Sequence, residues 1–137
     1  MFHSTNYTNT LIEVSEDCAV GEGRVPPSGG ERPSIARMQY DRIRQNPYRF
    51  TSDELLFAIH VLRQSIAPDQ EAHAHAQFFS KGQACLRASP LVKRYGWGIH
   101  HDEQGKVALY GRETSAYREL QQRADIRKVK GMRSRRV

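Results

Sequence analysis

Three groups of residues combine types and spacings that support chemistry. The first is Lys81-Gly82-Gln83, Arg87, Ser89-Pro90 and Lys93-Arg94, where four cations and a glycine lie near a Ser-Pro pair of the kind that starts helices. A capped helix start presents free backbone amides, and Arg87 or Lys93 could add charge-assisted bonds to a phosphate or carboxylate. The same residues also read as a routine helix start with solvated cations, and Lys81-Gly82 lacks the glycine spacing of a phosphate loop. The second group is His100, with Asp102 two residues on and Tyr110 nearby once the chain folds back. Asp102 and Tyr110 could orient the imidazole for acid–base work, although an exposed histidine on a polar strand face is the simpler reading without a nucleophile or metal. The third is Cys85, the one plausible nucleophile, which lies between Lys81 and Arg87. Neighbouring cations lower a thiol pKa, but Ala84, Leu86 and Ala88 equally suit a small buried filler.

No metal or cofactor is called for. His100 and His101 are strand neighbours and point to opposite faces, and His73 and His75, two apart on a helix, diverge as surface residues. Cys18 and Cys85 are far apart and match neither a zinc spacing nor a disulfide framework, so reduced thiols and a cytoplasmic setting are expected. Met1 to Thr10 lacks the basic and apolar regions of a secretory signal. The mean hydropathy of −0.71 and the short apolar runs provide no membrane-spanning helix, so no membrane partner is expected.

The chain of 137 residues carries a net charge of +6. Arg127, Lys128, Lys130, Arg133, Arg135 and Arg136 account for all of it, so residues 1–126 balance. The reading is one globular domain over 1–126 and a basic C-terminal tail over 127–137. That tail could contact nucleic-acid phosphates without sequence preference, or pack as a helical end with Val129, Met132 and Val137.

Several elements must position these residues. Thr10 to Ser15 alternates as a strand, with Ile12 and Val14 toward the core. Glu16 to Pro33, rich in proline and glycine, reads as a long surface loop, mobile or functional. Ser34 caps a helix from Ile35 to about Gln45, with Ile35, Met38 and Ile43 near one side. Thr51-Ser52-Asp53-Glu54 is a capping box for a helix over 52–65, with Leu55, Leu56, Ile59 and Leu62 inward. Pro68 opens a third helix reaching about Phe79, anchored by Phe78 and Phe79. Gln83 to Ala88 is read as a strand in preference to a helix. Ser89 and Pro90 start a short helix that Gly96 ends in the left-handed conformation. Trp97–Asp102 and Lys106–Tyr110 then form a hairpin around Glu103-Gln104-Gly105. In its register His101 faces Val107, His100 faces Ala108 and Ile99 faces Leu109. Trp97, Ile99, His101, Val107 and Leu109 share the core face, with Trp97 a packing residue. Gly98, His100, Asp102, Lys106, Ala108 and Tyr110 form a polar opposite face that could line a site. A last helix spans about Thr114 to Ala124, with Tyr117 and Leu120 on one side.

Thr5-Asn6-Tyr7 with Asn9-Thr10, Pro47-Tyr48-Arg49-Phe50-Thr51-Ser52-Asp53, and Ser80-Lys81-Gly82-Gln83-Ala84-Cys85-Leu86-Arg87-Ala88-Ser89-Pro90 continuing to Tyr95-Gly96-Trp97-Gly98-Ile99-His100-His101-Asp102 resemble the domain of unknown function family 6157. The resemblance spans nearly the whole chain and is weakest at Glu22 to Glu31. It implies a single small domain and carries no substrate, cofactor or catalytic residue onto these positions.

The expected fold is α+β: a small, mainly antiparallel sheet of the Leu11 strand, the hairpin and possible Cys85 segment, covered by helices on one face. The leading functional expectation is a soluble domain binding an anionic small molecule in a cleft near residues 80–110, with Lys81, Arg87, Ser89, Lys93 and Tyr110 as ligand contacts. In an enzymatic variant His100 is the acid–base group and Cys85 the nucleophile. The alternatives are a nucleic-acid-associated module acting through the tail and a protein–protein interaction domain. No motif identifies a substrate or a reaction, and oligomeric state is not legible.

Overall fold

The computed structural model describes residues 2–135. Its centre is a four-stranded mixed sheet of β1 (Thr10–Glu13), β2 (Trp97–His101), β3 (Val107–Gly111) and β4 (Arg127–Lys130), in spatial order β3-β2-β1-β4. The antiparallel hairpin has the register expected from its turn: His101 opposite Val107, His100 opposite Ala108 and Ile99 opposite Leu109. Gly105, at a φ of 80°, takes the left-handed turn position. β2 also pairs antiparallel with β1, whereas β4 pairs parallel to β1.

Five α-helices surround the sheet: α1 (Ile35–Gln45), α2 (Ser52–Gln64), α3 (Glu71–Phe78), α4 (Pro90–Lys93) and α5 (Ser115–Gln122). Their starts follow from their caps. The Ser34 side chain accepts from Arg37 N, the Thr114 side chain from Tyr117 N, and Thr51 and Glu54 complete a reciprocal capping box. The N-terminal segment locks onto this box. Asp53 accepts from Ser4 Oγ, Thr5 N and Thr5 Oγ1, each at 2.7 Å, while Asn6 Oδ1 accepts from Asp53 N at 2.9 Å. Two of the segments that carry the family resemblance thus meet as one hydrogen-bonded clamp.

One sheet face is the main core. Ile12, Ile99, Val107 and Leu109 pack against Ile43 of α1, Leu55 and Ile59 of α2, and Leu91 and Val92 of α4. Burying each such aliphatic side chain stabilises the fold by about 1.5–3 kcal/mol. The sheet is covered on both faces, not one. Leu11 and Val14, with Tyr117, Leu120 and Ile126, build a second cluster under α5. Leu11, expected to face outward, is therefore buried, and Val14, expected beside Ile12, belongs to this second cluster; Ser15 is buried where its amide donates to Val92 O at 2.9 Å. α5 approaches closely because β2 has a glycine beneath it: a Cβ on Gly98 would run into the Tyr117 ring.

Three further features differ from the sequence reading. Residues 83–88 form no strand; Leu86–Ala88 is a single 3-10 turn, closed by Ala88 N donating to Cys85 O at 3.0 Å. With Gly82 before it and Ser89-Pro90 after it, the run is too short to pair. Arg127–Lys130, assigned from sequence to the tail, is strand β4, anchored where Arg127 N donates to Asn9 O and Gly131 N to Glu13 O, both at 2.8 Å. Its one apolar side chain inside a charged run hides the strand pattern; Arg136 and Val137 lie outside the described residues. Leu62 of α2, expected inward, and Ile35, the first residue of α1, are exposed. The 16–33 loop is pinned across the end of the hairpin: Trp97 Nε1 donates to Arg24 O at 2.8 Å, Gly23 N to Glu113 Oε1 at 3.0 Å, and Arg37 Nη1 to Pro26 O at 2.9 Å.

Candidate functional site

The second sheet face holds a linked set of polar side chains. His100 sits in a cross-sheet row with Ala108, Leu11 and Lys128 and is only 7% exposed. Tyr48 reaches it from the turn between α1 and α2. The Tyr48 hydroxyl lies 2.8 Å from His100 Nδ1 and 2.6 Å from the Tyr110 hydroxyl. Asn46-Pro47 ends α1, and Tyr48 takes the next turn at a φ of 59°, unusual for a bulky residue. Its amide donates to Val107 O at 2.9 Å, fixing the turn on the edge of β3. Such strain survives only where the surrounding structure over-determines it, and it concentrates at functional positions.

The electrostatics keep this set uncharged. Burial, with a smaller contribution from Arg123, holds the His100 pKa below its ordinary value, so the ring is mainly neutral at pH 7. Burial and then the hydrogen bond with Tyr110 raise the Tyr48 pKa, so its hydroxyl keeps its proton. The expected orienting role of Asp102 is not formed: its Oδ1 accepts from Gln104 N and Lys106 N at 2.9 and 2.8 Å and closes the hairpin turn. Tyr48 does the orienting instead. Nothing in the local sequence marks it, since its partners lie 52 and 62 positions away.

Cys85 is on the other side of the sheet. Its Sγ lies 3.3 Å from the Tyr7 hydroxyl, and the Tyr7 ring packs edge-on against His101, whose side chain faces the main core. Adjacent strand residues point to opposite faces, so His100 and Cys85 are separated by the sheet and form no nucleophile–base pair. The enzymatic variant built on them has no geometry to act through.

The expected anion cluster also disperses. Ser89 is buried, accepting from Leu91 N at 3.1 Å and bonding to Gln39 Oε1 at 2.5 Å. Arg87 Nε donates to Lys130 O at 2.7 Å and holds β4. Lys93 ends α4, which packs on the main-core face, while Tyr110 belongs to the opposite one. Lys81 opens onto a groove of about 730 Å³ between α2 and α3. This volume falls within the range of small-molecule pockets. Gln70, His73, Ala74, Gln77 and Lys81 line one wall and His60 and Gln64 the other. His73, Ala74 and Gln77 share one face of α3, Gln70 precedes the helix and Lys81 follows its end. Gln83 Nε2, donating to Phe78 O at 2.7 Å, closes the end. No aspartate or glutamate lines this groove.

Part of the basic C-terminal segment is tied into the fold. Lys130 faces Glu13 at 3.9 Å, Arg133 pairs with Glu16, and Lys128 donates to Arg123 O and Ile126 O. Ser134 N and Arg135 N donate to Asp17 at 2.9 and 3.0 Å. Among the described residues no cluster of three or more histidine, cysteine or acidic side chains could hold a metal ion, and no helix is long and apolar enough to cross a membrane.

No curated protein and no solved structure matches the chain. One family model does, over residues 2–137, and that span includes the N-terminal clamp, the Tyr48 turn, the groove and the hairpin. The chain therefore belongs to the family of unknown function DUF6157.

Proposed function

We propose that the protein binds a small organic anion, a carboxylate or phosphate ester, in the groove between α2 and α3. One observation carries this reading: the groove combines the Lys81 ammonium with two imidazoles and several glutamine amides and has no carboxylate in its lining. Lys81 neutralises the anionic end, while the amides of Gln64, Gln70 and Gln77 supply donors and acceptors to a polar body. Phe78, stacked 4.6 Å from the His60 ring, provides an apolar floor. The ligand class is the one expected from sequence, at a site shared with that expectation only through Lys81.

A thermal-shift screen of carboxylates, sugar phosphates and nucleotides tests the reading. A ligand at about a hundred times its Kd stabilises the fold by about 2.7 kcal/mol, and Lys81→Gln should remove that stabilisation. A screen without a hit, or a hit indifferent to Lys81→Gln, contradicts it. A nucleic-acid role through the C-terminus is less favoured, because Lys130 and Arg133 already have acidic partners. Unchanged salt-dependent retention of RNA and DNA in a variant carrying Arg127→Gln and Arg135→Gln, which keeps the β4 backbone, would dispose of that alternative.

A further inference from the structure

We propose that Tyr110 is the outward donor of a directional hydrogen-bond relay, His100 to Tyr48 to Tyr110, and that it binds an acceptor oxygen of a carboxylate or carbonyl compound. This site lies on the opposite sheet face from the groove and stands independently of it. Three features set the direction. First, the Tyr48 hydroxyl bridges His100 Nδ1 at 2.8 Å and the Tyr110 hydroxyl at 2.6 Å. With one proton, it donates to one neighbour and accepts from the other. Second, His100 Nε2 is buried and has no hydrogen-bond partner. An orphaned buried N–H is among the rarest arrangements in proteins, and an orphaned acceptor is better tolerated. The ring proton therefore sits on Nδ1. Third, Nδ1–H must donate to Tyr48, so Tyr48 donates to Tyr110, and the Tyr110 proton is left pointing away from the relay.

The alignment of donors strengthens the last one. Each bond polarises the next, so the Tyr110 hydroxyl is a better donor than an isolated tyrosine. Tyr110 and Tyr48 are both partly exposed whereas His100 is buried, and the turn that holds Tyr48 in its strained conformation fixes the geometry in advance. Tyr48 and His100 are positioning residues; Tyr110 makes the contact.

Long-range proton–nitrogen NMR of the imidazoles in the full chain tests the direction without any substitution. The expected spectrum shows His100 protonated on Nδ1; protonation on Nε2 overturns the proposal. Titration with acetate, followed at the hydroxyl-bearing carbon of Tyr110, tests the site. We expect a saturable shift that is unchanged in Lys81→Gln and weakened about threefold in Tyr48→Phe, which keeps the ring but breaks the relay. No saturation, equal affinity in Tyr48→Phe, or loss of the Tyr110 response in Lys81→Gln each overturns it.

Discussion

His100 and His101 are consecutive in β2, yet the two sides of the sheet treat them differently. Both are buried, and each packs edge-on against a tyrosine, Tyr48 for His100 and Tyr7 for His101. On the His100 side the tyrosine hydroxyl is hydrogen-bonded both to the ring and to Tyr110. On the His101 side the Tyr7 hydroxyl turns to Cys85, and neither ring nitrogen of His101 has a hydrogen-bond partner. Desolvation dominates there and pulls the His101 pKa down to about 4. One imidazole is thus connected toward the surface and the other is enclosed in the core, where the backbone of Ile99 and Thr10 comes near its ring. Burial alone does not separate a functional histidine from a structural one; the destination of its hydrogen bonds does.

The largest expected effect is on the dry side. The unfolded His101 takes up a proton near pH 6.5 and the folded one only near pH 4, so its contribution is complete above pH 6.5 and lost as the pH falls toward 4. That difference corresponds to about 3 kcal/mol. Urea denaturation across this window should show the loss in the wild type and a much flatter profile in His101→Leu; equal slopes would break the contrast. Next comes Gly98→Ala on the other face, where the new methyl meets the Tyr117 ring and should cost about 2 kcal/mol in the same assay. A neutral result would mean that α5 moves aside easily.

A smaller effect compares the tyrosines directly. Tyr48→Phe removes both bonds of a partly buried relay and should destabilise by about 1.5 kcal/mol, whereas Tyr7→Phe loses only a weak contact with a thiol and should cost about 0.5 kcal/mol. Chemical denaturation of the two variants gives the ranking, and the reverse order would contradict it. Lys81→Gln, on an exposed groove wall, should leave stability within about 0.5 kcal/mol while abolishing ligand stabilisation.

The legible parts of this molecule are those with local causes. The capping box at Thr51, the Ser34 and Thr114 caps, Gly96 after α4 and the three-residue hairpin turn each act within a few residues, so their elements and the facing of His100 and His101 follow from sequence. Distant causes stay hidden. β4 forms because β1 accepts a parallel partner, not because Arg-Lys-Val-Lys looks like a strand. Arg87 and Ser89 resemble anion ligands until Lys130 and Gln39 occupy them. Tyr48 becomes notable only when its turn lands on β3 beside His100. Burial of both sheet faces depends on α5, whose Tyr117 fits over a glycine.

The most direct test of the contrast is a pH titration of the imidazole nitrogens of His100 and His101 in one NMR sample. We expect His101 to remain neutral down to about pH 4, and His100 to be neutral at pH 7 with its proton on Nδ1, a preference that disappears in Tyr48→Phe while the His101 signals stay in place. Titration of His101 at an ordinary histidine value, or a His100 tautomer indifferent to Tyr48, would contradict the account.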